Sequence, residues 1–222
     1  MFTACKNLTL VPVSRWLEGL VNQSYFADNN VVTIHNGLNL YAFGRHKGES
    51  LEKKDYVLGV AAVWDERKGL NDFFHLRNLI DENCQIVLVG LNDKQIDSLP
   101  EGIKGIRRTH DVNELIQLYT GAKAFVNLTY SDNFPTVNLE ALACGTPVIT
   151  YDTGGSPEAV DDKTGVVVRQ GNVAAVAKAI HDLKNNPLSS DECRHRAEEL
   201  FDQEKCYLKY IDLYNRLLEK SH

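Results

Sequence analysis

The feature that most constrains this chain is a run of short, Val- and Ile-rich segments separated by helical patterns through its middle. The segments are Tyr56 to Val63 (YVLGVAAV), Gln85 to Val89 (QIVLV), Gly105 to Arg108, Ala124 to Leu128 (AFVNL), Val148 to Tyr151 (VITY) and Gly165 to Val168. Between them, Gly69 to Ile80, Val112 to Tyr119, Thr136 to Cys144 and Val173 to Leu183 place apolar residues three and four apart, as amphipathic helices do. A strand followed by a helix and then another strand demands parallel pairing, because the helix carries the chain back to the edge where the first strand began. The apolar runs show no polar alternation, so the sheet is expected to be covered on both faces. These readings predict a doubly wound, Rossmann-like α/β domain from about Lys54 to about Asn186.

The flanks read differently. Leu8 to Val13, Ser14 to Phe26 and Val31 to His35 give a strand, a helix with Ser14 as N-cap, and a strand, closed by the turn signal Asn36-Gly37. This βαβ piece has too few partners to form a domain. The polar, charged stretch between Phe43 and Lys54, with Gly44 and Gly48, reads as a linker. At the far end, Phe201, Leu208, Ile211, Tyr214, Leu217 and Leu218 suggest an apolar stripe on a last helix, Glu204 to Glu219. There is no internal repeat.

Composition excludes several functions. With 24 Lys and Arg against 30 Asp and Glu, the net charge of −6 repels polyanions and argues against a nucleic-acid surface, so any anion needs a local binding device. Cys5, Cys84, Cys144, Cys193 and Cys206 are scattered and odd in number, which indicates neither a disulfide framework nor a zinc site. No run of about 18 apolar residues suggests a membrane span, and Met1 to Val13 holds no small-residue cleavage pattern, so the expected location is cytoplasmic.

That device is expected in SDNFPTVNLEALACGTPVITYDTGGSPE, Ser131 to Glu158. Pro135 suits the first turn of a helix and forces Phe134 to be extended, leaving the amides of Thr136, Val137 and Asn138 free to hold a phosphate. Asp132 stands just before this helix and Glu140 one turn beyond Thr136. A carboxylate pair around an anion site makes sense if the ligand also carries hydroxyls, such as a ribose and a sugar flanking a diphosphate. Taken singly, Glu140 reads as a cation partner and Asp132 as a cap. In Gly154-Gly155-Ser156-Pro157-Glu158, Ser156 is expected to cap a second helix entrance, with a structural role only. Cys144 reads as packing and no histidine as a base.

Two acids separated by seven intervening residues, here Asp132 and Glu140, resemble the donor-binding signature of the GT-B retaining glycosyltransferases of family GT4, the glycosyl transferases group 1. The first acid departs from the usual Glu. Val32 to Phe43 (VTIHNGLNLYAF) resembles the stretch joining the two domains of these enzymes, and Pro12 to Phe26 the stretch before it. The resemblance implies residues 1–44 as a remnant of the N-terminal acceptor domain with the hinge, 45–200 as the nucleotide-sugar donor-binding domain, and 201–222 as a helix packing back on the remnant.

Carried to this chain, the resemblance makes Asp132 and Lys68 the catalytic candidates, with Asp132 at the transferred sugar and Lys68 at the diphosphate. Without it, Lys68 would read as a solvated loop lysine. Glu140 would bind the ribose, with Phe134, Pro135, Thr136, Val137, Arg67, Arg108 and Asn92 as further donor-binding residues and the His110 to Asn113 loop near the base. The family's usual Arg, five or six positions before the lysine, is replaced by Val63 or Ala62, and Arg67, Arg107 or Arg108 could take its place. The implied reaction is hexosyl transfer from a nucleoside diphosphate sugar with retention and no obligatory metal or cofactor, in bacterial surface polysaccharide or glycoconjugate synthesis. Implied partners are the donor and the missing acceptor domain, with peripheral membrane association of the full enzyme; the remnant and the last helix are expected to leave apolar surface that a second copy of the chain covers. The isolated chain is expected to bind donor without turnover. A non-catalytic nucleotide-sugar binding module and a sugar-nucleotide epimerase are the alternatives, although no base faces a sugar.

Overall fold

A computed structural model describes residues 7–44 and 52–219. Its centre is a six-stranded parallel sheet built from β3 (Tyr56–Val60), β4 (Gln85–Val89), β5 (Ile103–Ile106), β6 (Ala124–Asn127), β7 (Val148–Tyr151) and β8 (Gly165–Val168). The strand order is β5-β4-β3-β6-β7-β8. The chain moves outward from β3 to β5 and then returns to the other side of β3, so the order reverses between β3 and β6. Open α/β sheets bind ligands outside the carboxyl ends of the strands at such a reversal.

Strand residues alternate between two buried clusters, as a sheet covered on both faces requires. Val57, Ile86, Leu88 and Val126 join Phe73 and Leu76 of α2 (Leu70–Arg77) and Val176 and Ile180 of α6 (Val173–Asn185). Leu58, Val87, Val89 and Phe125 face the other way, toward Tyr119 of α4 (Val112–Gly121), Leu139 and Leu142 of α5 (Thr136–Ala143), and Cys193 and Ala197 of α7 (Ser190–Leu200). The expected doubly wound fold is therefore present. Cys144 is buried as the residue closing α5.

Details differ from expectation. β3 stops at Val60, three residues earlier than expected, with the amide of Ala61 still donating to Val89 O of β4. β5 lies two residues earlier than expected, which puts Arg107 and Arg108 in the loop after it. The short α3 (Asp93–Asp97) and the highly charged α7 carry too little apolar periodicity to announce themselves. Most of the expected linker lies outside the described residues, as do Cys5 and Gly48.

The amino-terminal piece forms a two-stranded parallel sheet, β1 (Thr9–Leu10) with β2 (Asn30–Val31), connected by α1 (Arg15–Val21). Ser14 caps α1 as expected, accepting from Leu17 N. Leu38 joins this piece to the last helix, α8 (Gln203–Glu219), by exchanging backbone hydrogen bonds with Phe201 and Gln203. The apolar stripe expected on α8 is present and largely exposed, as the expected uncovered apolar surface requires. Cys206 and Leu213 are buried, whereas Leu208, Ile211, Tyr214 and Leu218 are exposed.

Candidate functional site

At the end of β3 the chain makes a 3₁₀ turn, Glu66–Lys68, capped by Asp65, whose carboxylate accepts from Lys68 N. Gly69 follows in the left-handed region at φ 72°, and a Cβ there would lie 2.2 Å from Leu128 O. Only glycine lets the turn approach the end of β6 this closely. Tyr130 N and Thr129 Oγ1 both donate to Arg67 O, at 2.7 and 3.3 Å. The turn carrying Lys68 is thus stitched to the segment that leads into Asp132.

The two meet directly. Lys68 Nζ donates to Asp132 Oδ2 at 2.7 Å, and Phe134 N donates to Asp132 Oδ1 at 3.3 Å. The Asp132 loop rests on the Gly154-Gly155 turn, where Gly155 N donates to Asp132 O. A Cβ on Gly154 would fall 1.9 Å from Asp132 O, and one on Gly155 2.0 Å from Asn133 O. Both glycines are therefore required by close approach. Buried Asn138 fixes the helix beyond, accepting from Asn127 Nδ2 and donating to Ser156 O.

Pro135 is the N-cap of α5, with no side-chain cap. The amides of Thr136 and Val137 have no partner among the described residues, as expected. That of Asn138 does, donating to Pro135 O at 3.2 Å, so the helix entrance offers two free donors instead of three.

A cleft of about 380 Å³ is lined by Val60, Ala61, Ala62, Val63, Arg67, Lys68, Asp132 and Phe134 through Val137. A second, of about 740 Å³, shares Ala61 and Ala62 and continues past Gly90, Leu91 and Asn92 to Arg107, Arg108 and Thr109. Together they form a groove across the carboxyl ends of β6, β3, β4 and β5. Val63 and Ala62 lie in its wall without charge. Arg67 is at the Lys68 end, its guanidinium donating to Ser131 O. Arg107 pairs with Asp93 at 3.4 Å, and exposed Arg108 stands beside it. Asn92 lines the groove, but its side-chain oxygen caps α3 by accepting from Gln95 N. His110 to Asn113 lie beyond Thr109, where Asp111 caps α4.

Glu140 is not brought to the Lys68 end. It lies one turn deeper, partly buried, accepting from Tyr119 Oη at 2.9 Å. Burial pushes its carboxyl above the usual range, against the lowering pull of the Tyr119 hydroxyl. Burial and this negative partner raise the Tyr119 phenol well above its usual value.

Three residues around the site carry roles that sequence reasoning missed. Asp72, buried in α2, accepts from Tyr130 Oη at 2.8 Å and Tyr151 Oη at 2.6 Å, tying α2 to the ends of β6 and β7. Its only signal was a carboxylate within an apolar pattern. Glu158 lies in the 3₁₀ turn Ser156–Ala159, which Gly155 caps without a side chain, correcting the cap expected of Ser156. Its carboxylate accepts from the amides of Arg15 and Trp16, both at 2.9 Å, and pairs with His35 Nε2 at 2.7 Å. The His35 ring stacks on Phe134, with centroids 4.7 Å apart.

Comparison with known proteins identifies the family and the fold. Residues 44–200 match the family described as glycosyl transferases group 1. The chain is 26% identical over 184 residues to the N,N'-diacetylbacillosaminyl-diphospho-undecaprenol alpha-1,3-N-acetylgalactosaminyltransferase of Campylobacter jejuni, covering 78% of this chain and 48% of that protein. It is 24% identical over 238 residues to the capsular polysaccharide biosynthesis glycosyltransferase CapM of Staphylococcus aureus, covering 96% and 62%. Among solved structures, the sucrose-phosphate synthase of Thermosynechococcus elongatus superposes with a TM-score of 0.83 at 24% identity, over 96% of this chain and 59% of that one. Anabaena HepE in complex with UDP superposes with a TM-score of 0.77 at 16% identity, over 93% and 63%. The chain thus spans between about half and two thirds of the length of these proteins.

Proposed function

From the premise that this chain belongs to the glycosyl transferases group 1 family, we propose that its groove binds a nucleoside diphosphate sugar and presents it for transfer with retention. The observation that carries this reading is the Lys68–Asp132 pair at 2.7 Å, at the mouth of a helix with two unpaired amides, where the sheet order reverses. The diphosphate lies against Lys68 and the amides of Thr136 and Val137, which supply positive charge where the leaving group gains its negative charge. Asp132, released from Lys68, accepts from hydroxyls of the sugar. The nucleoside extends toward Asn92 and Arg108, and Glu140, which lines neither cleft, is proposed to meet its ribose from one turn deeper in α5. The reaction routes no step through a metal or a cofactor.

The relatives' names support a role in surface polysaccharide or glycoconjugate synthesis, and a cytoplasmic location is proposed with it. The acceptor is supplied by a partner, or by polypeptide additional to this sequence, and the chain alone binds donor without turnover. Exposed Ile211 and Tyr214 on α8 support association with a second copy. No helix among the described residues is long and apolar enough to cross a membrane; peripheral membrane association of the full enzyme remains part of the same proposal.

Thermal denaturation with UDP, GDP and ADP tests the reading. A nucleotide at about 100 times its dissociation constant adds about 2.7 kcal/mol of stability. One of the three should raise the melting temperature of the wild type and fail with Lys68→Ala. No shift with any of them, or an equal shift in the variant, overturns the assignment.

A further inference from the structure

We propose that His35 is a positioning residue for the donor site, acting on Asp132 through the ring of Phe134. The inference rests on the reading of the groove as a donor site and adds to it a residue that lies outside the groove.

The Asp132 carboxylate has two holders: Lys68 Nζ on one oxygen and the amide of Phe134 on the other. The first is a long, rotatable side chain, whereas the second is backbone, so the carboxylate's orientation follows the placement of Phe134. The next residue, Pro135, opens α5 and aims the free amides of Thr136 and Val137. Whatever fixes Phe134 therefore fixes both halves of the anion- and hydroxyl-binding device.

Phe134 is 4% exposed, and aromatic rings hold it from outside the Asp132 loop. His35 stacks on it at 4.7 Å with an interplanar angle of 31°, and Phe201 approaches at 5.8 Å. His35 also meets the edge of Phe201 at 6.2 Å and 88°. None of these neighbours belongs to the loop that carries Phe134 or to the strand and helix it joins: His35 follows β2 and Phe201 precedes α8. The third constraint is Glu158, which holds His35 Nε2 at 2.7 Å and lies three residues beyond Gly155, whose amide supports Asp132 O. One imidazole therefore touches both supports of the acidic loop, Phe134 in front and the Gly155 to Glu158 turn behind. Because His35 sits in the segment joining the amino-terminal piece to the rest, displacement of that piece is felt at Asp132.

The two contacts of His35 are separable. Gln keeps a donor close to the position of Nε2 and loses the ring. Phe keeps the ring and loses the donor, leaving Glu158 with the amides of Arg15 and Trp16. If His35 were a structural pin only, nucleotide affinity would follow stability in both variants. Positioning through the ring requires them to diverge. His35→Phe should melt earlier than wild type yet bind the nucleotide identified by the UDP, GDP and ADP panel with nearly wild-type affinity. His35→Gln should melt closer to wild type yet bind that nucleotide about two- to twelvefold more weakly, the range to which the coupling of an aromatic pair converts.

A second measurement needs no nucleotide. Amide proton and nitrogen chemical shifts of Asn133, Phe134 and Thr136 should move in His35→Gln more than amides equally distant from residue 35, and should be largely restored in His35→Phe. Unmoved shifts at these three residues in His35→Gln overturn the proposal even if no nucleotide binds. Affinity that tracks melting temperature across both variants overturns it as well. Failure of wild type to bind any of the three nucleotides defeats the donor-site reading instead, and the shift experiment then decides the coupling by itself.

Discussion

Gly155→Ala is the most direct test of how the acidic loop is held. Gly155 has φ −89°, which any residue adopts, so the substitution introduces no backbone strain. Its effect is steric alone. The new methyl would lie 2.0 Å from Asn133 O and 2.8 Å from Ser14 Cβ, against ordinary carbon contacts of about 3.5–4.0 Å. Neither neighbour is the far end of a flexible side chain, so the loop Asp132-Asn133 must retreat by more than about 1 Å. Overpacking of this kind costs about 1–3 kcal/mol. Loss of the Gly155 N to Asp132 O bond adds about 1 kcal/mol. The sum, about 2–4 kcal/mol, lowers the melting temperature of a chain this size by about 4–16 °C. Because Asp132 moves relative to Lys68, nucleotide binding should weaken in the same variant. Gly19→Ala is the control: it lies in α1 with nothing within 4 Å of the new methyl, and should stabilise by about 0.5–1 kcal/mol. Calorimetric unfolding reads both. A Gly155→Ala protein that melts and binds like wild type would refute the argument that close approach of this turn sets the site.

Glu158 is held below its usual value of 4.5: burial works against its charge, but the hydrogen bonds from His35 and the amides of Arg15 and Trp16 outweigh it. A lowered native value stabilises above the unfolded one and is lost as pH falls through the native one, so a pH titration should show Trp16 fluorescence changing below about pH 4.5 in wild type and not in Glu158→Gln. Glu140 has the opposite sign, since its raised native value makes stability fall as pH rises above 4.5. Glu140→Gln should therefore melt higher than wild type at pH 8 and no higher at pH 4, while losing its preference for a ribonucleotide over the 2′-deoxy form. Asp132→Asn should bind the bare nucleoside diphosphate more tightly and the nucleoside diphosphate sugar more weakly, as read by titration calorimetry; loss of both would contradict the roles given to the pair. On α8, Ile211→Lys should reduce self-association measured by light scattering without changing the fold by circular dichroism, and a wild type that stays monomeric at high concentration would refute association.

What was legible in the sequence follows from local physics. Strands such as QIVLV and VITY are unbroken apolar runs, and their observed bounds agree with the reading because burial on both faces leaves no alternative use for them. Asp132 and the helix opened by Pro135 were legible for a similar reason: a proline with a carboxylate just before it is a local signal. The Lys68–Asp132 pair spans 64 positions and became visible only when β3 and β6 were placed side by side. His35 gave no signal, since its partners Phe134 and Glu158 are about 100 residues away or more, and neither contact needs a pattern in the chain. The stripe on α8 was legible as a pattern, but a 17-residue helix with apolar residues on two sides does not say which side the protein covers, so burial of Cys206 and Leu213 was not.

On the proposed donor reading, the same pair would let an acidic chain favour a large anion over a small one. Net charge of −6 gives no general attraction for phosphate, and the groove's most enclosed cation is already neutralised by Asp132, both side chains being about one-fifth exposed. An inorganic phosphate that takes Lys68 must leave Asp132 charged, unpaired and facing another anion, so its gain is small. A nucleoside diphosphate has the same difficulty, offset by contacts along the groove toward Arg108. A nucleoside diphosphate sugar removes the difficulty, because its hydroxyls donate to the oxygen that Lys68 vacates. Recognition then depends on exchanging one charge-assisted hydrogen bond for two, one to phosphate and one from sugar, and the departure from Glu to Asp at position 132 matters: the shorter side chain stays within reach of the Phe134 amide, so the acceptor keeps its orientation while its partner changes.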